Sequence, residues 1–203
     1  MATSTARVEA IEAILDGAES LLVEVGYSAI TTRKLAERAG VNHGLVHYYF
    51  GSMEEVFLQV LERYTERLTA RQRALYAGPG PFLEKWRRAM SYLVADDERE
   101  YQKIWFELQA MAWSRPEMRE RVGRVLADWQ ALLTAAFSSG LRELGVDTRR
   151  YPVDAVVSLV VTFNEGVMLE RLSGVDSGHT ALLQMADRLL VRLAREQQKE
   201  VKR

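Results

Sequence analysis

The chain has 203 residues, 48% of them hydrophobic, with 27 basic against 28 acidic side chains and a formal net charge of −1. That is apolar material for one substantial core, or for a small domain fused to a larger one, which argues against disorder; the near-neutral balance excludes a general polyanion binder, so any nucleic-acid contact must be local. With no cysteine there is no disulfide framework or thiolate chemistry, and without an uncharged apolar run of ~18 residues or a signal-like start no membrane association is expected and the chain reads as cytoplasmic.

Only 4 prolines and 13 glycines interrupt long Ala, Leu, Glu and Arg-rich segments, and β-branched runs are confined to residues 153 to 163, so the expected class is all-α. After a polar start, "MATSTA", Arg7 to Val25 places Ile11, Ile14, Leu15, Ala18, Leu21, Leu22 and Val25 at spacings of three and four, one stripe of an amphipathic helix closed by Gly26. Thr31 or Thr32 caps a second, short helix with Leu35, Ala36 and Ala39 inward, and Gly40 stops it. Asn42 caps a third helix running to Phe50. Ser52 with Glu55 has the spacing of a capping box in front of a long helix from 53 to 77, whose Val56, Val60, Leu61, Tyr64 and Leu68 face inward.

"GPGP" at residues 78 to 81 cannot lie inside a helix and marks the strongest break in the chain. Beyond it the pattern predicts helices over Phe82 to Ala95, Glu98 to Trp113, Arg115 to Leu144, Pro152 to Ser173 and His179 to Gln198. Two helical domains are expected, 1–52 and 53–203, fused through the long helix.

Two short helices joined by a glycine-containing turn form the helix-turn-helix pattern, whose second helix enters the major groove. On the third helix Val41, Val46 and Phe50 form the apolar side, while His43, Gly44, His47 and Tyr48 share the other. Imidazoles exchange hydrogen bonds with purine N7 and O6, a phenol donates to phosphate, and Gly44 lets the backbone approach the duplex. Thr32 and Arg33 stand at the start of the second helix, where free backbone N–H groups and a guanidinium favour a phosphate. Residues 1 to 60 carry net −4, but residues 31 to 51 carry net +2 from Arg33, Lys34 and Arg38 against Glu37. His43 and His47 have i, i+4 spacing, but position 44 is glycine and no third ligand stands nearby, so no metal and no cofactor are expected.

The segment from Arg7 to Leu61, above all "TTRKLAERAGVNHGLVHYYFGSMEEVF", resembles the DNA-binding domain of TetR-family transcriptional regulators. The resemblance implies DNA contacts at Thr32 and Arg33, at His43, Gly44, Leu45, His47 and Tyr48, and a phosphate contact at Tyr49. It also marks two departures: His47 stands where the family usually has tyrosine, and Met53 where it usually has a phosphate-binding lysine.

Past residue 81 the large side chains are mostly core, but a helical bundle can enclose a cavity among them. The candidate ligand contacts are Trp86, Met90, Trp105, Gln109, Trp129, Asn164 and Met168, suited to a small hydrophobic or aromatic effector. Asn164 and Glu165 interrupt an apolar run, so they bond inside the protein, meet a ligand, or lie at a subunit seam. His179, in "SGVDSGHT", is expected to be solvent-exposed, and "RPEMRER" with "RVGRV" a solvated helix face.

Leu182, Met185, Ala186, Leu189, Leu190 and Leu193 form a broad stripe on the last helix, and the helix before it is apolar nearly all round. The resemblance implies a homodimer through these two helices, reading a palindromic double-stranded DNA operator as a ligand-released repressor. The scattered Glu, Asp and Ser residues form no catalytic constellation, so an enzyme is not expected. The alternative at this level is a helical small-molecule-binding or enzyme-like module without specific DNA binding.

Overall fold

A computed structural model of the chain describes residues 2–94 and 99–200. Among these residues it is all-helical: α1 (Ala2–Val25), a 3-10 turn (Tyr27–Ala29), α2 (Thr32–Ala39), α3 (His43–Phe50), α4 (Met53–Ala77), α5 (Phe82–Val94), α6 (Arg99–Trp113), α7 (Pro116–Glu143), α8 (Val153–Leu172) and α9 (His179–Glu200). The predicted boundaries at Ala95 and Glu98 lie outside the described residues, as does the side chain of Leu193. The first helix starts at Ala2, ahead of Arg7, because nothing in its Ala, Thr and Ser opening breaks a helix.

The helices divide into two compact units, the first from Met1–Arg67 and Glu100–Val125, the second from Leu68–Arg99 and Leu126–Arg203. In the first, Ile14, Ala18, Leu21 and Leu22 of α1 are fully buried, as are Leu35 of α2 and Val56, Phe57, Val60 and Leu61 of α4. Val25, predicted to continue the stripe, is 37% exposed, because the chain turns away at Gly26 just after it. Phe57 packs edge-on against Tyr27, with ring centroids 5.1 Å apart.

The second unit is built on Phe82 and Trp86 of α5, Leu133 and Phe137 of α7, and Val157, Val160 and Val161 of α8. Phe82 and Trp86 both meet the Phe137 ring edge-on, at 5.1 and 5.8 Å. Tyr76 of α4 stacks on Phe82 at 6.2 Å, and burial pushes its phenol up to about 12. Lys85 Nζ donates to the Tyr76 carbonyl at 3.0 Å, satisfying an orphan acceptor at the end of α4 before the Gly-Pro break.

Two expectations change here. His179 is buried rather than exposed, because the α8–α9 turn folds it onto the last turns of α8, where its Nε2 lies 2.6 Å from a Glu170 carboxylate oxygen. Nor are residues 115 to 125 simply a solvated face: Met118 and Val122 are buried, and Arg121 clamps Glu62 and Glu55 of α4.

Candidate functional site

Each boundary of the α2–α3 pair has an identifiable chemical cause. Thr31 Oγ1 accepts from the Lys34 N–H at 3.2 Å, capping the start of α2. Gly40 ends it with φ 66°, and the bonds Gly40 N–H to Glu37 C=O and Val41 N–H to Ala36 C=O satisfy its last carbonyls, which needs a left-handed residue with no Cβ penalty. Asn42 Oδ1 accepts from the Gly44 N–H at 2.9 Å and starts α3. Ser52 Oγ accepts from the Glu55 N–H at 3.1 Å and starts α4, but the Glu55 carboxylate turns to Gln59 and Arg121 instead of back to Ser52.

Val46 and Phe50 dock α3 on the buried Leu35 and Ala36 side of the unit, which leaves His43, Gly44, His47 and Tyr48 on the outer side. Tyr48 is 78% exposed, although a side chain of that size gains about 1.5–3 kcal/mol when fully buried. Leu45 and Tyr49 are half-buried at the edges of this face; on α2, Arg33 is exposed and Thr32 half-buried. His47 Nδ1 lies 3.2 Å from the Gly51 carbonyl, which can only accept, so Nδ1 donates there and Nε2 is left for a partner outside the chain.

The electrostatics differ from the sequence count. Arg38 is turned away from the outer face: its two terminal nitrogens donate to both Glu24 carboxylate oxygens at 2.7 Å, and one also donates to Ser20. Those hydrogen bonds, from Arg38 first and Ser20 second, lower the Glu24 carboxyl to about 2. With Arg38 neutralised, residues 31 to 51 present net +1 rather than +2. Arg7, a residue the linear reading did not assign, brings a cation back: its guanidinium lies 6.0 Å from the Tyr49 ring centroid.

Other elements of the same unit hold this face in place. Glu107 of α6 accepts from the Tyr27 N–H at 2.6 Å, and Lys103, one turn earlier, donates to the Val23 carbonyl at 2.7 Å. Together they grip the end of α1 and the turn that leads into α2. Arg63 of α4 pairs with Glu12, Asp16 and Glu19 along α1. The side chains of Glu107, Lys103 and Arg63 are recognisable as a scaffold only once the fold brings them to α1.

Residues 14–60 match the family model of bacterial regulatory proteins, tetR family. Over 181 residues the chain is 25% identical to the HTH-type transcriptional repressor AcnR of Corynebacterium efficiens, covering 88% of each. Residues 14–60 form a DNA-binding domain of the TetR family. An HTH-type repressor of Mycobacterium tuberculosis is 40% identical over 65 residues, 32% of this chain and 35% of that protein. A transcriptional regulator from Saccharomonospora viridis, solved in complex with choline, shares the fold with a TM-score of 0.77 at 17% identity, covering 91% of this chain and 96% of that one. With that domain the chain is a DNA-binding transcriptional regulator.

The candidate ligand residues are divided between the units. Trp105 is buried and Gln109 half-buried on α6 in the first unit. In the second, Trp86, Asn164 and Met168 are buried and Met90 and Trp129 half-buried. A groove of about 420 Å³ between α5 and α9 has Trp86, Met90 and Leu183 in its lining, bridged by the Arg87–Asp187 ion pair at 2.7 Å. Among the described residues no helix is long and apolar enough to cross a membrane.

Proposed function

We propose that this regulator is a cytoplasmic repressor of the TetR family that binds a palindromic operator as a homodimer and is released by a small hydrophobic or aromatic effector. The single observation that carries the DNA half is the outer face of α3, where two exposed imidazoles and a 78% exposed phenol stand beside a glycine, over a buried docking side. His43, Gly44, Leu45, His47 and Tyr48 meet base edges and the groove wall; Thr32, Arg33 and Tyr49 hold the phosphates on either side. Functionally, residues 1–52 read DNA and residues 53–203 bind the effector and pair the subunits, a different cut from the division into compact units.

The pairing surface is the apolar face of α8 and α9, where Leu159 is 70% exposed, Leu169 52%, and Met185 and Leu189 56% each. Four such helices, two per subunit, would cover it and set two copies of α3 about 34–36 Å apart, one DNA turn. The effector binds in the second unit among Trp86, Met90, Trp129, Asn164 and Met168; it releases DNA only through its differential affinity for the two spacings of the reading heads. Repression is in keeping with the AcnR-like relatives, and a small-molecule effector with the choline-bound neighbour.

A gel-shift titration on the DNA upstream of the chain's own gene, alongside sedimentation equilibrium, tests this. A two-subunit complex that a hydrophobic metabolite dissociates is the expected result; saturable DNA binding by a monomer, or the absence of sequence preference, would refute it.

A further inference from the structure

Residues 1–67 contain five arginines: Arg7, Arg33, Arg38, Arg63 and Arg67. Three of them are held by carboxylates of the same unit, Arg38 by Glu24, Arg63 by Glu12, Asp16 and Glu19, and Arg67 by Glu19. Arg7 and Arg33 are both exposed and form no ion pair among the described residues. Arg33 is already accounted for at the start of α2, where it faces a phosphate. Arg7 is not.

Arg7 projects from α1 but is drawn to α3, its guanidinium carbon 6.0 Å from the centroid of the Tyr49 ring. A cation–ring contact of that length on an exposed side chain is too weak to hold the fold together; what it fixes is direction. It brings the charge to the edge of the α3 face, where the Tyr49 ring meets that of the exposed Tyr48 edge-on at 5.1 Å. The Tyr49 hydroxyl likewise has no hydrogen-bond partner among the described residues. A guanidinium with five N–H donors and a phenol with one O–H thus stand together at one edge of α3, and the described residues offer neither an acceptor. The complement of such a pair is an anionic oxygen from outside the chain, which the DNA backbone supplies along the rim of the major groove.

Given that α3 enters that groove, we infer that Arg7 is a further DNA contact: with the Tyr49 hydroxyl it grips the backbone phosphates on the Tyr49 side of α3. A planar guanidinium can lie against a ring and still present N–H groups to a phosphate. The contact adds affinity and fixes register; it reads no sequence.

Fluorescence anisotropy of the full-length protein on the operator and on a scrambled duplex, each over a salt series, tests the assignment. In Arg7→Ala the salt slope should fall by about one, and affinity for both duplexes by about fivefold at ~0.15 M salt, the yield of one phosphate contact. Arg7→Lys should keep the slope. Tyr49→Phe should weaken both duplexes at an unchanged slope, because the phenol carries no charge. Circular dichroism melts of Arg7→Ala should match the wild type, and Arg7→Gln repeats the measurement if the alanine variant does not fold.

An unchanged slope in Arg7→Ala would overturn the contact while leaving α3 as the reading element; a loss of affinity at that unchanged slope would make Arg7 a prop for Tyr49. A loss confined to the operator would likewise overturn it, by making Arg7 a base reader. A wild-type protein that binds neither duplex would remove the reading head and the role of Arg7 together.

Discussion

Substituting Gly26 tests how the reading head is held. Its backbone, φ 72° and ψ 164°, lies in a region essentially reserved for glycine, so Gly26→Ala costs about 1–3 kcal/mol from the conformation alone. The new Cβ would also sit 2.9 Å from Glu107 Oε1. The carboxylate can swing aside only by loosening its 2.6 Å bond from the Tyr27 N–H, and a hydrogen bond to a charged group is worth ~1.5–3 kcal/mol. The total is about 2.5–6 kcal/mol, which for a protein of this size lowers Tm by roughly 5–24 °C.

Glu107→Ala removes the obstacle as well as the bond, so the double variant should fall short of additivity by about 0.5–2 kcal/mol. Thermal unfolding followed by circular dichroism on the four proteins of the cycle measures both quantities. A loss below about 0.5 kcal/mol for Gly26→Ala, or strict additivity, would refute the clamp.

Three further outcomes follow from other parts of the fold. Gly140→Ala would place a Cβ 2.1 Å from Cδ2 of the buried Phe82 ring, and overpacking of that kind costs about 1–3 kcal/mol in chemical denaturation; an unchanged midpoint would contradict the packing. Met185→Glu, in the middle of the exposed α9 stripe, should give sedimentation at the monomer mass with helicity intact; a persistent dimer would move the pairing surface elsewhere. Arg33→Ala should weaken binding to every duplex alike and lower the salt slope by about one, whereas a loss confined to one sequence would make Arg33 a base reader.

The DNA-binding half was legible because its landmarks are local. Thr31, Gly40, Asn42 and Ser52 each act on a backbone group within four residues, so capping chemistry placed α2, α3 and α4 almost to the residue. What the chain order concealed is non-local. Arg38 counted as a free cation until the fold set it against Glu24, 14 residues away. The Glu107 clamp joins residues 80 apart. His179 looked like a loop residue because burial at the α8–α9 turn depends on how that turn closes. Asn164 stood out as a polar break in an apolar run, and the fold buries it.

The central claim, that the outer face of α3 reads base sequence, is tested most directly by comparing binding to the operator with binding to a scrambled duplex, wild type against the His47→Ala/Tyr48→Ala double variant, by fluorescence anisotropy. The account predicts that operator affinity falls at least about tenfold, that scrambled-duplex affinity hardly moves, and that thermal stability is preserved. An operator preference that survives the double substitution in a folded protein would contradict it.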